Sequence, residues 1–277
     1  MLNFAVTNSI INMRNTLSIF FILFFSITTF GQSCQLFTTN SKLSSSLINK
    51  IYQDRNGMIW IATEDGLNKY DGVKFTVYKH KKDDEHSLCH NYVRTLFEDS
   101  KGNLIIGTYT GIQMYEPATD RFTPQARWEN GDLFDSNIIA ILERQNGEIW
   151  VSGNILCKLI IKKEKLVVKM LNLPIATTST DYMIEDKKRN IWITKGENGI
   201  YKISDKKKVT HYLKNEKGIT IVDFCEDLNG NIYVGTMGKG LFVYDQSSDS
   251  FKPIPYKGKQ NLPIKSLYPD NQNELYI

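Results

Sequence analysis

The chain has 277 residues, a formal net charge of +4, 41% hydrophobic residues and 12% aromatic residues. That composition suits many half-buried strands and excludes a disordered polymer. The 34 basic residues have no patch interleaved with aromatics, so nothing points to nucleic-acid binding by this segment. The first element in chain order is an apolar stretch of about 14 residues, Leu17 to Phe30, between Arg14 and Gly31-Gln32-Ser33-Cys34. A membrane span needs about 20 residues, so the stretch is read as the core of a signal peptide over residues 1–33, and the rest of the chain as exported to the periplasm. Met13 serves as well as Met1 for a start. Lipidation of Cys34 and an uncleaved anchor are the other readings, the first weakened by Gln32 where a small residue belongs.

From residue 43 onward a block recurs about every 43 residues. Each copy opens on a β-rich run and a polar Gly/Asn turn. An apolar triplet, a small residue and a second apolar run follow. The triplets are Ile59-Trp60-Ile61, Leu104-Ile105-Ile106, Ile149-Trp150-Val151, Ile191-Trp192-Ile193, Ile232-Tyr233-Val234 and Leu275-Tyr276-Ile277. Their middle positions, 60, 105, 150, 192, 233 and 276, step by 45, 45, 42, 41 and 43. Strand-dominated repeats of this length predict an all-β β-propeller of four-stranded antiparallel blades over 43–277, five complete and a sixth begun. The second copy parses as an innermost strand over Tyr92–Glu98, a turn over Asp99–Asn103, strands over Leu104–Thr108 and Gly111–Tyr115, and a short outer strand at Phe122. Trp60, Trp150, Trp192 and Tyr233 occupy one repeated strand position, which assigns them to packing between blades rather than to ligand. An open array of blades leaves apolar faces wet, so the segment alone is expected to self-associate, unless its last strand completes the first blade.

Cys89 falls in a loop, and Cys157 and Cys225 inside strands of different blades. With no CxxC or Cys/His cluster, unpaired and mostly buried thiols are expected, with no metal and no cofactor.

The fullest copy, Asp54-Arg55-Asn56-Gly57-Met58-Ile59-Trp60-Ile61-Ala62-Thr63-Glu64-Asp65-Gly66-Leu67-Asn68-Lys69-Tyr70, resembles the two-component regulator propeller repeat. Ser87-Leu88-Cys89-His90-Asn91 and Leu133-Phe134-Asp135-Ser136-Asn137 match the lead-in of that pattern. The third copy departs most, with Arg144 in place of the aspartate and no Gly-Leu pair around Asn154-Ile155-Leu156. The resemblance covers residues 43 to 277. It implies the periplasmic sensor region of a hybrid histidine kinase, detecting poly- or oligosaccharide breakdown products to switch on transcription. A homodimer partner or a second propeller is implied as well, with an inner-membrane anchor outside this sequence. No kinase motif occurs here and His80, His86, His90 and His211 fall in loops or turns, so no catalysis is expected of the segment.

The long inter-blade loops and the turns between second and third strands share one face of the disc, where binding residues are expected. Trp128 stands in such a loop beside Arg127, Glu129, Asn130 and Asp132, and an exposed indole ringed by polar groups is what a sugar ring needs. Tyr109, Glu64, Asp65, Asn154, Glu197, Asn198 and Lys239 fall in the short loops of the same face. The plainer reading of each is a solvated loop residue. Two other functions stay open: a lyase or hydrolase, for which Asp83-Asp84-Glu85-His86 is the one loop cluster with suitable groups, and a protein-binding scaffold.

Overall fold

The computed structural model describes residues 36–163, 165–173, 175, 182–194, 199–206, 208–214, 219–255 and 262–277. The expected signal peptide, Cys34, Glu197 and Asn198 lie outside these residues. Among them no helix is long and apolar enough to cross a membrane.

Five antiparallel sheets follow one another along the chain. The first contains β1 (Ile48–Gln53), β2 (Ile59–Thr63), β3 (Gly66–Tyr70) and β4 (Phe75–Tyr78). The second contains β5 (Val93–Glu98), β6 (Leu104–Thr108), β7 (Ile112–Glu116) and β8 (Arg121–Phe122). After β9 (Arg127–Trp128) comes the third, with β10 (Ile138–Glu143), β11 (Ile149–Gly153), β12 (Cys157–Lys162) and β13 (Lys165–Met170). The fourth is β14 (Tyr182–Glu185), β15 (Ile191–Thr194), β16 (Ile200–Ile203) and β17 (Val209–Tyr212). The fifth is β18 (Ile221–Glu226), β19 (Ile232–Thr236), β20 (Gly240–Asp245) and β21 (Ser250–Ile254). A sixth begins with β22 (Tyr268–Pro269) paired to β23 (Leu275–Tyr276). These are the blades the repeat predicts. The last strand pairs with β22 and not with the first blade, so the ring is not closed that way.

One turn is built the same way in nearly every blade. The Asp54 carboxylate accepts the backbone N–H of Asn56 and Met58 and, at 2.8 Å, the indole N–H of Trp60. Asp186 repeats all of this toward Lys188, Asn190 and Trp192. The third blade keeps the turn despite Arg144, because Gly147 still supplies a positive φ of 80° and Arg144 N–H still bonds Glu148 carbonyl. There Glu148 takes over as acceptor for the Trp150 indole at 3.4 Å, and Arg144 lies over the ring. In the fourth blade the glycine position is held by Arg189 at φ 64°. A left-handed L-residue costs about 1–2 kcal/mol. Arg189→Gly is therefore expected to raise stability by about 1 kcal/mol in urea denaturation; an unchanged midpoint would show that the turn carries no such strain.

The middle residue of each triplet packs on the following blade. Trp60 lies with Val93, Leu96 and Leu104, Ile105 with Ile138 and Ile149, Trp150 with Met183 and Ile191, and Trp192 with Ile221 and Phe224. A second contact runs beside it. The glutamate ending each first strand accepts the backbone N–H that follows the turn aspartate, or Arg144 in its place, of the blade before. Arg55 donates to Glu98 (3.0 Å), Ser100 to Glu143 (2.6 Å), Gln145 to Glu185 and Lys187 to Glu226 (3.0 Å). In the sixth blade, where Pro269 stands in the glutamate's place, Asn273 accepts from Leu228 instead.

Among the described residues no blade packs against the face of the first blade turned away from the second, and its side chains show it. Ile48 is 45% and Ile51 58% exposed, against 0% and 3% for Val93 and Leu96 at the matching positions of the second blade. Burying such a side chain stabilises by about 1.5–3 kcal/mol, so this face favours association. Ile51→Lys is expected to shift the isolated chain toward monomer in size-exclusion chromatography; an elution volume equal to that of the parent chain would exclude this face.

Among the described residues the cysteines are free, Cys157 buried and Cys89 and Cys225 half-buried. Burial pushes their thiols up to about 11 at Cys89 and about 12 at Cys157 and Cys225, which leaves them protonated and unreactive at neutral pH.

Candidate functional site

The first strands of the five blades stand side by side around a central channel. Their inner edges enclose a cavity of about 640 Å³ lined by Asn49, Arg94, Ile139, Tyr182 and Val222 among others. Four of these have a common origin. Register slips by one residue between Ile48 and Lys50, Val93 and Thr95, Ile138 and Ala140, and Ile221 and Asp223. Each slip is a β-bulge, and the extra residues are Asn49, Arg94, Ile139 and Val222, all on the cavity wall. In four of the five blades the bulge thus presents one side chain to the channel, and in the second, third and fifth the apolar positions on either side stay in the blade interface.

At one mouth of this channel the turns between second and third strands meet the entries to the first strands. Tyr109 N–H bonds Tyr92 carbonyl at 3.0 Å, and the same bond recurs as Glu64 to Leu47, Asn154 to Asn137 and Met237 to Thr220. The second blade differs in carrying aromatics at both positions. The Tyr109 and Tyr92 rings are stacked, centroids 6.0 Å apart and planes within 8°, and Tyr109 is 50% exposed. The Arg94 guanidinium lies 5.3 Å from the Tyr92 centroid, and His90 lies 5.6 Å from Tyr109. The His90 Nδ1 atom accepts the Tyr92 N–H at 2.9 Å; burial, then the neighbouring His80, holds this imidazole below its ordinary range. Tyr109, Tyr92 and Arg94 form a continuous aromatic-cationic row leading from solvent to the cavity.

The structure places Trp128 away from the channel mouth. It lies in β9, which joins the outer edge of the third blade parallel to β13. Its indole is half-buried, edge-on to Phe134 at 5.0 Å and packed on the blade core. The reason is local: the Trp128 N–H bonds Asp132 carbonyl and Gly131 N–H bonds Trp128 carbonyl, folding the loop into a hairpin. The neighbours are occupied likewise: Asn130 bonds Asp132 at 2.7 Å, Glu129 pairs with Lys169 at 3.4 Å, and Arg127 donates to Gly131 carbonyl. These four residues sit beyond the outermost strand of their blade, whereas Tyr109 adjoins the innermost, so the structure does not bring them together. Asp65 is held between Lys79 (2.6 Å) and Asn91 (3.2 Å), fixing the long loop after β4.

That loop forms one wall of a second cleft, of about 490 Å³, lined by His80, Asp83, Asp84, Glu85, Gln125 and Arg127 among others. Its acidic cluster serves the loop itself. Asp84 pairs with Arg121, and the His86 ring bonds Phe122 carbonyl at 2.9 Å.

Sequence reasoning also missed two matching polar clusters between blades. In one, Asp120 accepts from Lys69, Tyr78 and Tyr115, each at 2.6 Å; in the other, Asp249 accepts from Tyr212 at 2.6 Å and Tyr244 at 2.5 Å. Burial raises the carboxyl of Asp120, but these bonds outweigh it and hold the group below its usual range; at Asp249 the phenol bonds lead and act the same way. Burial, with the bonds to aspartate, pushes all four phenols up, Tyr212 to about 12. Burial alone would lower both lysines, and does at Lys202, which reaches only the Tyr244 hydroxyl. Lys69 is raised because it bonds Asp120 directly.

The depressed aspartates contribute stability above the unfolded carboxyl pKa of about 4, lost as pH falls through their folded values. The raised tyrosines contribute below the unfolded phenol pKa of about 10, lost as pH rises through theirs. The contribution of these two clusters is thus expected to plateau between about pH 4 and 10 and fall on both sides, with Asp120→Asn flattening the acid limb in urea melts at stepped pH.

Four-stranded blades fanned around a channel define a β-propeller. Residues 42–65 and 87–110 match the two-component regulator propeller family. A histidine kinase P4 of Formosa agariphila is 35% identical over 83 residues, 27% of this chain and 6% of that protein. The extracellular domain of BT3049 from B. thetaiotaomicron, assigned to the hybrid two-component systems, superposes with a TM-score of 0.72 at 24% identity, covering 87% of this chain and 33% of that one. Virginiamycin B lyase from Staphylococcus aureus superposes at 0.61 with 16% identity, covering 88% and 86% of the two chains. At these identities the superpositions show the fold alone. The chain spans about a third of the BT3049 domain and a small part of the curated relative.

Proposed function

We propose that this chain is ligand-sensing propeller from the extracytoplasmic region of a two-component signalling protein, and that its ligand is an oligosaccharide released from a larger polysaccharide. The observation that carries the reading is the Tyr92–Tyr109 stack at the channel mouth, the one place among the four equivalent described positions with two aromatic rings, one of them half exposed. A flat ring flanked by polar groups is what a pyranose stacks on. The repeat family and the likeness to extracellular domains of two-component proteins support the extracytoplasmic setting. The segment itself is read as non-catalytic, since Asp84 and His86 are engaged in holding their loop.

Binding signals only if the ligand favours one of two arrangements over the other, so the sensor is read as acting through pairing with a second propeller or a second copy. Tyr109→Ala is expected to weaken oligosaccharide binding about tenfold by isothermal titration, the loss of about 1.4 kcal/mol of stacking. Unchanged affinity in that variant, with Trp128→Ala weakening it instead, would move the site to the outer edge of the third blade.

A further inference from the structure

Resting on that reading, we propose that the channel mouth selects saccharides bearing an anionic substituent, with Arg94 as the residue that reads the charge. The cavity wall carries two cations, Lys50 and Arg94, and no aspartate or glutamate among its described lining residues. Arg94 owes its position to the bulge in β5, which turns the extra residue of the strand to the channel. Other guanidiniums of the chain are committed: Arg55 to Glu98, Arg121 to Asp84 and Arg144 to Glu185. Arg94 has no carboxylate partner among the described residues, and its one described contact is the face of Tyr92.

A cation kept half-buried and unpaired beside an aromatic platform is costly in the free protein and gains its counter-charge only from a ligand. Arginine presents two parallel N–H donors to a carboxylate or a sulfate, which makes it a reader of either group. The row Tyr109–Tyr92–Arg94 sets the order of contacts: the sugar ring stacks at the outer tyrosine, and the anionic group points inward to the guanidinium and Lys50. The matching bulge residues, Asn49, Ile139 and Val222, are uncharged, so the charge selection belongs to the second blade. Glu64, on the turn of the neighbouring blade, is the exposed carboxylate of the equivalent described turn tips, and it bears on the rim rather than on the cavity wall.

Isothermal titration of the purified chain with galactotriose, trigalacturonate and a sulfated galactotriose tests this. At least one anionic probe is expected to bind tenfold or more tighter than the neutral one. The preference is expected to weaken as salt rises and to vanish in Arg94→Gln. Whether the carboxylated or the sulfated probe leads names the group. Arg94→Lys, which keeps the charge without the bidentate geometry, is expected to retain a reduced preference and guards against a folding defect in the first variant. Equal affinity for neutral and anionic probes, or a preference that survives Arg94→Gln, overturns the inference and leaves saccharide sensing standing. No binding of any probe by a chain that melts cooperatively overturns both.

Discussion

Replacing Trp192 by alanine is expected to lower the unfolding free energy by about 3–5 kcal/mol, among the largest effects of any single substitution in the chain. The side chain is fully buried between the fourth and fifth blades, among Ile221, Phe224, Val234 and Phe242. Its ring meets Tyr244 edge-on at 4.9 Å and Phe251 at 5.9 Å, with the Lys202 ammonium 5.0 Å from its centroid. Its indole N–H donates to Asp186 at 2.8 Å, so the residue joins the core of the interface to the turn that starts its own blade. Trp192→Phe keeps most of the apolar contact and loses that bond, and is expected to cost about 1–2 kcal/mol. Equilibrium denaturation in guanidinium measures both. A loss under about 1 kcal/mol for the alanine variant would mean the two blades are not held together by this residue. Trp150, whose indole reaches Glu148 only at 3.4 Å, is expected to show a smaller difference between its alanine and phenylalanine variants.

The second large effect is expected at Glu185. This side chain is nearly inaccessible to solvent and accepts from Gln145 N–H and from two nitrogens of Arg144 at 2.9 and 3.2 Å. Removing one partner of a buried ion pair leaves the other uncompensated, at about 3–5 kcal/mol. Glu185→Ala is expected near that range, and Glu185→Gln, which retains an acceptor for the backbone N–H, well below it. The double variant with Arg144→Ala is expected to cost clearly less than the sum of the two single changes, because the arginine then has nothing left to lose. Strict additivity would show that the pair is not coupled. Matching changes at Glu98 test whether the contact is a property of the repeat: its carboxylate holds Arg55 through both backbone and side chain, at 3.0 and 2.6 Å.

Most of the architecture was legible because a propeller blade is a local object. The strands of the second blade were placed within a residue of β5 to β8, since alternation and Gly/Asn turns are features of short windows. The packing role of Trp60, Trp150 and Trp192 was legible from their recurrence alone, for a ligand has no reason to repeat at the blade period. The third blade kept its turn although Arg144 replaces the aspartate, which sequence reading left open; Gly147 and the strand pairing on either side impose the geometry without it.

The binding site was much less legible. Tyr109 lies at the channel mouth, whereas Trp128 stands at the outer edge of the third blade, half-buried, because the loop around it folds back onto Phe134. Arg94 and Tyr92 were passed over as ordinary strand residues. A signal for them existed in the apolar-x-x-apolar spacing of Val93-Arg94-Thr95-Leu96, repeated at Ile48–Ile51, Ile138–Ile141 and Ile221–Phe224, which strict alternation does not allow. The sequence by itself determined the blade, its number of strands and its interface residues, because those rest on period and polarity along a few neighbouring positions. Only the tertiary structure decided which side chains meet at the channel, because that requires first strands some 40 residues apart to be laid side by side and each bulge to turn its extra residue inward.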